Sequence, residues 1–201
     1  MPAIAVLCSG AGTNLQAILD AARAGRLGAH VAIVISDRPK VRALARARRA
    51  GVEAHYVDPQ AYGDREAYEE ALIRMLHPRG VQLVCLAGFM RILSPVFVRR
   101  FRQRILNIHP ALLPAFPGAH AVRDALAWGA TVTGVTVHFV DERVDHGPII
   151  LQEALAIQPG ETEAHLLARL HRIEHRLYPK AIRLVLQGRV RVIGRAVHLM
   201  N

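Results

Sequence analysis

Two chemically useful side chains stand two apart in the stretch L-N-I-H-P-A-L-L-P, residues 106–114: Asn107, an amide donor, and His109, a titratable imidazole. A short apolar run delivers them and Pro110 stops it. Residues two apart on a strand share a face, so the pair is predicted to stand side by side at a strand-to-loop junction. One member can donate hydrogen bonds and the other can move a proton. A second grouping, T-V-H-F-V-D-E-R-V-D-H-G-P at 136–148, puts His138 on a strand and Asp141, Glu142, Asp145 and His146 in the loop after it. That spacing matches no compact metal-ligand set. A loop carboxylate that orients a histidine or a water fits Asp145 better, against the plainer reading of a solvated loop.

The stretch S-G-A-G-T-N at 9–14 joins a strand-like run to a helix-like one. Such a loop turns backbone N–H groups and a helix N-terminus toward an anion, and Thr13 and Asn14 add side-chain donors. Leu15 fills the third glycine position of G-x-G-x-x-G, and the lysine of a P-loop is missing. A single phosphate monoester therefore fits better than a dinucleotide or a nucleoside triphosphate; a plain tight turn is the alternative. In 88–93, Met90, Ile92 and Leu93 could wall a flat aromatic ligand while the backbone bonds its ring, or the segment is a buried connection. His171 to His175 reads H-x-x-E-H, an inverted zinc-protease pattern. That pattern needs a further carboxylate ligand, and residues 176–201 hold neither Asp nor Glu, so no metal is expected.

The elements that must position these residues follow from periodicity. Continuous or alternating apolar runs predict strands at 3–8, 30–36, 54–57, 81–87, 104–108, 131–140 and 149–156, with a late edge strand at 189–193. Helical spacing predicts helices from Leu15 to Gly25, at 41–50, at 64–76 with Asp64 as N-cap, at 122–128, and at 163–187 with Thr162 as N-cap. Strands alternating with helices imply an α/β fold, doubly wound about a largely parallel sheet with helices on both faces. Ligands bind beyond the carboxyl ends of such strands. That rule gathers the loops 9–14, 88–95 and 107–118 on one edge.

With 201 residues, 52% of them apolar, the chain suits a single domain over 1–201. No apolar run reaches the ~18 residues of a membrane span, and no basic leader precedes the first strand. Cys8 and Cys85 lie in strand-like runs as buried hydrophobes, which suits a reducing, cytoplasmic setting. The net charge of +10 comes mostly from arginines scattered along helices with few aromatics between them. Nucleic acid is therefore not an expected partner, and a basic field also suits small polyanionic substrates.

The chain resembles the phosphoribosylglycinamide formyltransferase family along nearly its whole length. The resemblance rests on C-S-G-A-G-T-N-L-Q-A-I at 8–18, L-A-G-F-M-R-I-L at 86–93, L-N-I-H-P-A-L-L-P at 106–114, T-G-V-T-V-H-F-V at 133–140 with V-D-H-G-P-I-I at 144–150, and I-E-H-R-L-Y-P at 173–179. It implies a seven-stranded mixed sheet, with a Rossmann-like phosphate-binding half over 1–100 and a catalytic, folate-binding half over 101–201. It implies formyl transfer from the co-substrate 10-formyltetrahydrofolate to glycinamide ribonucleotide, without a metal, by a monomer or homodimer. Asn107, His109 and Asp145 would be catalytic, with His138 supporting them. Gly10, Ala11, Gly12, Thr13, Asn14, His171 and Glu174 would hold phosphate and ribose. Arg65, Met90, Arg91, Ile92, Leu93, Asp141, Glu142 and Val144 would bind folate. A ligand sensor that kept the pocket, or an RNA-binding protein, are readings from other classes.

Amine attack on a formyl carbon builds negative charge on the formyl oxygen, where one donor is typically worth ~3 kcal/mol. Protons must also leave the amine and reach the departing nitrogen, which suits an imidazole and a relaying water. The chain departs from the family pattern at Ala111, where serine is common, at His146, where a small residue is usual, and at His171, where Lys or Gln is frequent. An imidazole beside a phosphate predicts that phosphate affinity falls as the ring loses its proton. Substrate KM should then rise with pH in the native protein and stay flat in His171→Lys; matching profiles in steady-state kinetics refute this.

Overall fold

The computed structural model describes residues 1–200. Its centre is β1 (Ala3–Cys8), buried along its whole length, as a continuous apolar strand covered on both faces must be. β2 (His30–Ser36) pairs with it in parallel on one side, and β3 (Glu53–Tyr56) lies outside β2. β4 (Val81–Leu86) pairs with β1 on the other side, and β5 (Ile105–His109) follows, still parallel. β6 (Val132–Phe139) and β7 (Ile149–Ala156) then reverse direction in turn. The order β3-β2-β1-β4-β5-β6-β7 makes one mixed, seven-stranded sheet, as the resemblance implies.

Alternation along the strands divides the core between two helical layers. Ile4, Val6, Cys8, Leu83, Cys85, Leu106 and Ile108 meet α1 (Thr13–Arg23), α2 (Arg42–Arg49), α5 (Ala121–Trp128) and α6 (Glu163–Leu186). Ala5, Leu7, Val84, Leu86 and Ile105 meet α3 (Arg65–Leu76) and α4 (Pro95–Arg100). The chain thus leaves β1 toward one face and β4 toward the other. Adjacent strands whose exits diverge open a crevice at their carboxyl ends. Asp64 and Thr162 cap α3 and α6 as expected: Asp64 Oδ1 accepts from the Ala67 N–H at 2.7 Å, and Thr162 Oγ1 from the His165 N–H at 3.3 Å.

The structure adds or corrects two elements. Residues 95–100, which periodicity assigned to no element, form α4. Ser94 caps α4 and Pro95 opens its first turn, and the buried Glu69 carboxylate accepts from both the Ser94 N–H, at 2.8 Å, and its hydroxyl. The late edge strand is no edge of the main sheet: β8 (Val190–Ile193) pairs with β9 (Ala196–Leu199) in a separate hairpin. Among the described residues no helix is long and apolar enough to cross a membrane.

Tyr178 ties α6 to the sheet. It is fully buried, and its hydroxyl lies 2.9 Å from each of the Leu86 and Leu106 carbonyls, so one proton is shared between β4 and β5. Tyr178→Phe keeps the packing and removes that bond. Urea unfolding should lose about 1 kcal/mol with an unchanged m-value; an unshifted midpoint refutes the contribution.

Candidate active site

Alternation along β5 sends Ile105, Asn107 and His109 to the α3 and α4 side. The antiparallel register then sets His138 opposite Asn107 and Thr136 opposite His109 on the same face. Asp145 arrives from the loop between β6 and β7. Gly147 allows its reversal, because a Cβ there would lie 1.8 Å from the Phe139 carbonyl oxygen. Asp145 itself takes φ +50°, a left-handed conformation that Asp adopts more readily than most residues. The loop thereby folds back and lays its carboxylate on the β5–β6 strand pair.

The carboxylate is closely surrounded. Oδ2 accepts from the Gly118 N–H at 2.8 Å and Oδ1 from Asn107 Nδ2 at 3.3 Å. His109 Nδ1 lies 3.4 Å from Oδ2, and His138 Nε2 lies 3.6 Å from Oδ1. His109 donates from Nε2 to the Phe116 carbonyl at 2.8 Å. His138 donates from Nδ1 to the Phe139 carbonyl at 2.8 Å, and its Nε2 lies 3.3 Å from Asn107 Nδ2. The bend after His109 is braced from β6 and β7: Thr136 donates to the Ala111 carbonyl at 2.7 Å, and Gln152 to the Leu113 carbonyl at 2.9 Å.

Burial pushes the His109 imidazole below its ordinary value, against the pull of Asp145 and the Phe116 carbonyl. Burial also pushes the Asp145 carboxyl up, but His138, the Gly118 amide and His109 outweigh it and hold the group below the ordinary carboxylate value. The site therefore sets a carboxylate beside a neutral imidazole. With its hydrogen on Nε2, His109 turns the Nδ1 lone pair toward Asp145, so a proton taken up at Nδ1 gains a carboxylate partner at once.

The loop after β1 forms the other end of the crevice. Gly12 has φ +72°, and a Cβ there would lie 2.7 Å from Ala43 in α2, so this turn requires glycine. Arg46 Nε holds the Ala11 carbonyl at 3.0 Å, which fixes the loop from outside. Asn14 Nδ2 donates to Glu174 Oε2 at 2.9 Å, while Asn14 Oδ1 is buried without a partner among the described residues. Burial pushes the Glu174 carboxyl up despite Asn14 and His171. His171 Nε2 lies 3.8 Å from Glu174 Oε2, and its ring stacks on His175 with 6.0 Å between centroids. A cavity of about 560 Å³ opens beside Thr13, with the cations of Arg46, Lys180 and Arg183 and the Asp20 carboxylate in its lining.

Between these ends runs the segment after β4. Ser9 Oγ accepts from the Met90 N–H at 2.9 Å and Glu69 takes the Ser94 N–H. The N–H groups of Arg91, Ile92 and Leu93 have no partner among the described residues. A backbone edge of free donors suits a flat heterocycle. Met90 and Ile92 are exposed, whereas the Leu93 side chain faces the core, so Leu93 offers only its backbone. Arg91 lies over the Tyr68 ring, 5.4 Å from the centroid, one helical turn beyond the exposed Arg65. Across the opening, Asp141 accepts from His146 at 2.8 Å, Glu142 pairs with Arg99 at 3.2 Å, and Val144 is exposed.

A family profile described as Formyl transferase matches residues 3–182. The chain belongs to the formyl transferase family. It is 42% identical to phosphoribosylglycinamide formyltransferase of Escherichia coli (strain K12) over 98% of this chain and 92% of that protein. The crystal structure of glycinamide ribonucleotide transformylase 1 from Symbiobacterium toebii superposes with a TM-score of 0.98 at 53% identity, over 100% of this chain and 95% of that one. The chain is also 46% identical over 187 residues to the trifunctional purine biosynthetic protein adenosine-3 of Drosophila melanogaster, but spans only 14% of its length.

In this formyl transferase Asn107, His109 and His138 all stand within 3.6 Å of the Asp145 carboxylate, and the parallel pairing of β1, β4 and β5 puts them at the same sheet edge as the loop after β1. Sequence reasoning missed Phe116 and Gly118, which act through the backbone. The glycine in P-G-A-H after the L-L-P bend was the one available signal; Gly118 takes φ +95°. The depressed His109 value has a measurable consequence. Between that value and the unfolded value of about 6.5, the unfolded chain binds the additional proton, so stability rises with pH through the window and is lost on its acid side. The urea midpoint should fall between pH of about 7.5 and about 5.5, and His109→Asn should flatten the slope. Equal slopes in the two proteins would show that His109 does not carry the effect.

Proposed function

We propose that this chain transfers a formyl group from 10-formyltetrahydrofolate to the primary amine of glycinamide ribonucleotide, giving formylglycinamide ribonucleotide and tetrahydrofolate in de novo purine biosynthesis. The observation that carries the reading is the Asp145 carboxylate held against Asn107 and His109 at the sheet edge that also carries the glycine turn at Gly12 and the N-terminus of α1. The loop from Gly10 to Asn14 takes the phosphate, with His171 beside it. Glu174, buried and already accepting from Asn14, takes the ribose hydroxyls. The pteridine lies between the free backbone edge at 91–93 and the loop 141–145, with Arg65 and Arg91 toward its outer end. The phosphate loop thus comes from the half before residue 100, and the reacting groups, with His171 and Glu174, from the half after it. Free, buried Cys8 and Cys85 suit the reducing cytoplasm.

The co-substrate supplies an activated formyl group: a bond forms from the amine nitrogen to the formyl carbon, and the bond from that carbon to the folate nitrogen breaks. Asn107 donates to the formyl oxygen as its charge grows. Its present contacts are long, at 3.3 Å, so little is lost when the amide turns to the substrate. His109 exchanges the Phe116 carbonyl for the substrate and carries the proton between the attacking amine and the departing nitrogen. Asp145 stabilises the imidazolium while that proton is held and positions a relaying water. His138, whose Nε2 stands 3.3 Å from the Asn107 amide and 3.6 Å from the Asp145 carboxylate, keeps the two aligned.

Asn107→Ala removes the donor to the formyl oxygen. A spectrophotometric formyl-transfer assay should show kcat lowered about 10²- to 10³-fold, with KM for glycinamide ribonucleotide nearly unchanged. An inactive native protein rejects the function, and an unimpaired variant rejects this role for Asn107.

A further inference from the structure

The β8–β9 hairpin stands apart from the main sheet, yet its turn reaches the loop that carries Asp145. Arg195, just before β9, donates from Nη2 to the His146 carbonyl at 2.6 Å. Its Nη1 lies 3.2 Å from Nδ1 and 3.0 Å from Nε2 of the same ring. One nitrogen cannot donate along two lone pairs that point to different sides of an imidazole. Nη1 therefore packs against the ring, a contact that suits a planar guanidinium. His146 Nδ1 already donates to Asp141 Oδ2 at 2.8 Å, and Asp141 Oδ1 accepts from the Arg143 N–H at 2.9 Å. Among the described residues Arg195 has no carboxylate partner, so its three contacts all fall on one residue, the neighbour of Asp145.

That neighbour needs holding. A non-glycine residue at φ +50° persists only where its surroundings over-determine it. Before the turn, Asp141 anchors the loop through His146; after it, Gly147 is pressed against the Phe139 carbonyl. Arg195 closes the outer side by fixing both the ring and the carbonyl of His146. The unusual His146 thereby finds a use, since a small residue would give Asp141 no ring to bond and Arg195 none to pack on.

We propose that Arg195 is a positioning residue, through which the C-terminal hairpin sets the turn at Asp145 and so the aim of its carboxylate at Asn107 and His109. The inference rests on the formyl-transfer reading for its kinetic consequence, though not for its structural one. Arg195→Ala should lower kcat about 10-fold, the scale of a sub-ångström misplacement, while KM for glycinamide ribonucleotide stays within about two-fold, because the phosphate loop lies at the other end of the crevice. Amide hydrogen exchange should quicken in 140–148 and stay unchanged in β1 and α6. Arg195→Lys should restore part of the rate, since an ammonium can reach the carbonyl but cannot pack flat on the ring. His146→Ala combined with Arg195→Ala should be little slower than the slower single variant.

Unchanged exchange in 140–148 overturns the proposal, as does faster exchange throughout the protein, which marks a general loss of stability. Strictly additive rate effects overturn it too. If the native protein transfers no formyl group, the functional reading fails, and local exchange in 140–148 alone still decides whether Arg195 holds the turn.

Discussion

The Asp145 side chain keeps a tenth of its surface in water, and a carboxylate that dry costs several kcal/mol unless donors close around it. Here the donors come from separate segments, the Gly118 N–H from the bend after β5 and the Asn107 amide from β5, while the His109 and His138 rings close the sides at 3.4 and 3.6 Å. The charge and the local architecture therefore require each other. The same low exposure that makes the carboxylate demand donors makes His109 reluctant to hold a proton, so one environment yields a charged acceptor and a neutral imidazole side by side.

Strand direction explains why this cluster can coexist with an anion loop. Parallel pairing from β3 to β5 sends every connection back across a sheet face and leaves carboxyl-end loops gathered at one edge. At β6 the direction reverses, and that reversal places His138 squarely opposite Asn107. A wholly parallel sheet would have spent that position on a crossover. The mixed sheet supplies a binding edge from one half and a cross-strand cluster from the other.

Much of this was legible in the sequence, for physical reasons that differ between residues. Strands buried on both faces announce themselves by uninterrupted apolar runs, as in Ala3–Cys8, and Asp64 and Thr162 mark helix starts by side-chain chemistry that acts locally. Asn107 and His109 were readable because alternation is a local rule. What escaped was decided at long range. The start of α4 did carry a local signal, Ser94 before Pro95, but a helix this short is secured by Glu69 from another helix. The segment 189–193 has strand character, but its partner is a four-residue strand in the tail, and alternation does not name a partner. Phe116 and Gly118 bind through main-chain atoms, and of the two only the glycine, at φ +95°, left a trace in residue type. Asp145 was visible as a carboxylate in a loop, but its left-handed backbone and its hold on β5 were not.

α6 has a further consequence. Glu174, facing the anion loop, lies one turn before Tyr178, whose hydroxyl grips the carbonyls of Leu86 and Leu106, the latter adjacent to Asn107. On the formyl-transfer reading proposed above, the anchor for the sugar phosphate and the amide that meets the reacting group are thus mounted on one stiff frame, with a buried phenol as its rivet. Such a frame works as a caliper. A compound shorter or longer by a bond between phosphate and amine would bind at one jaw and miss the other, so the fold can discriminate by length where no side chain inspects the atoms between.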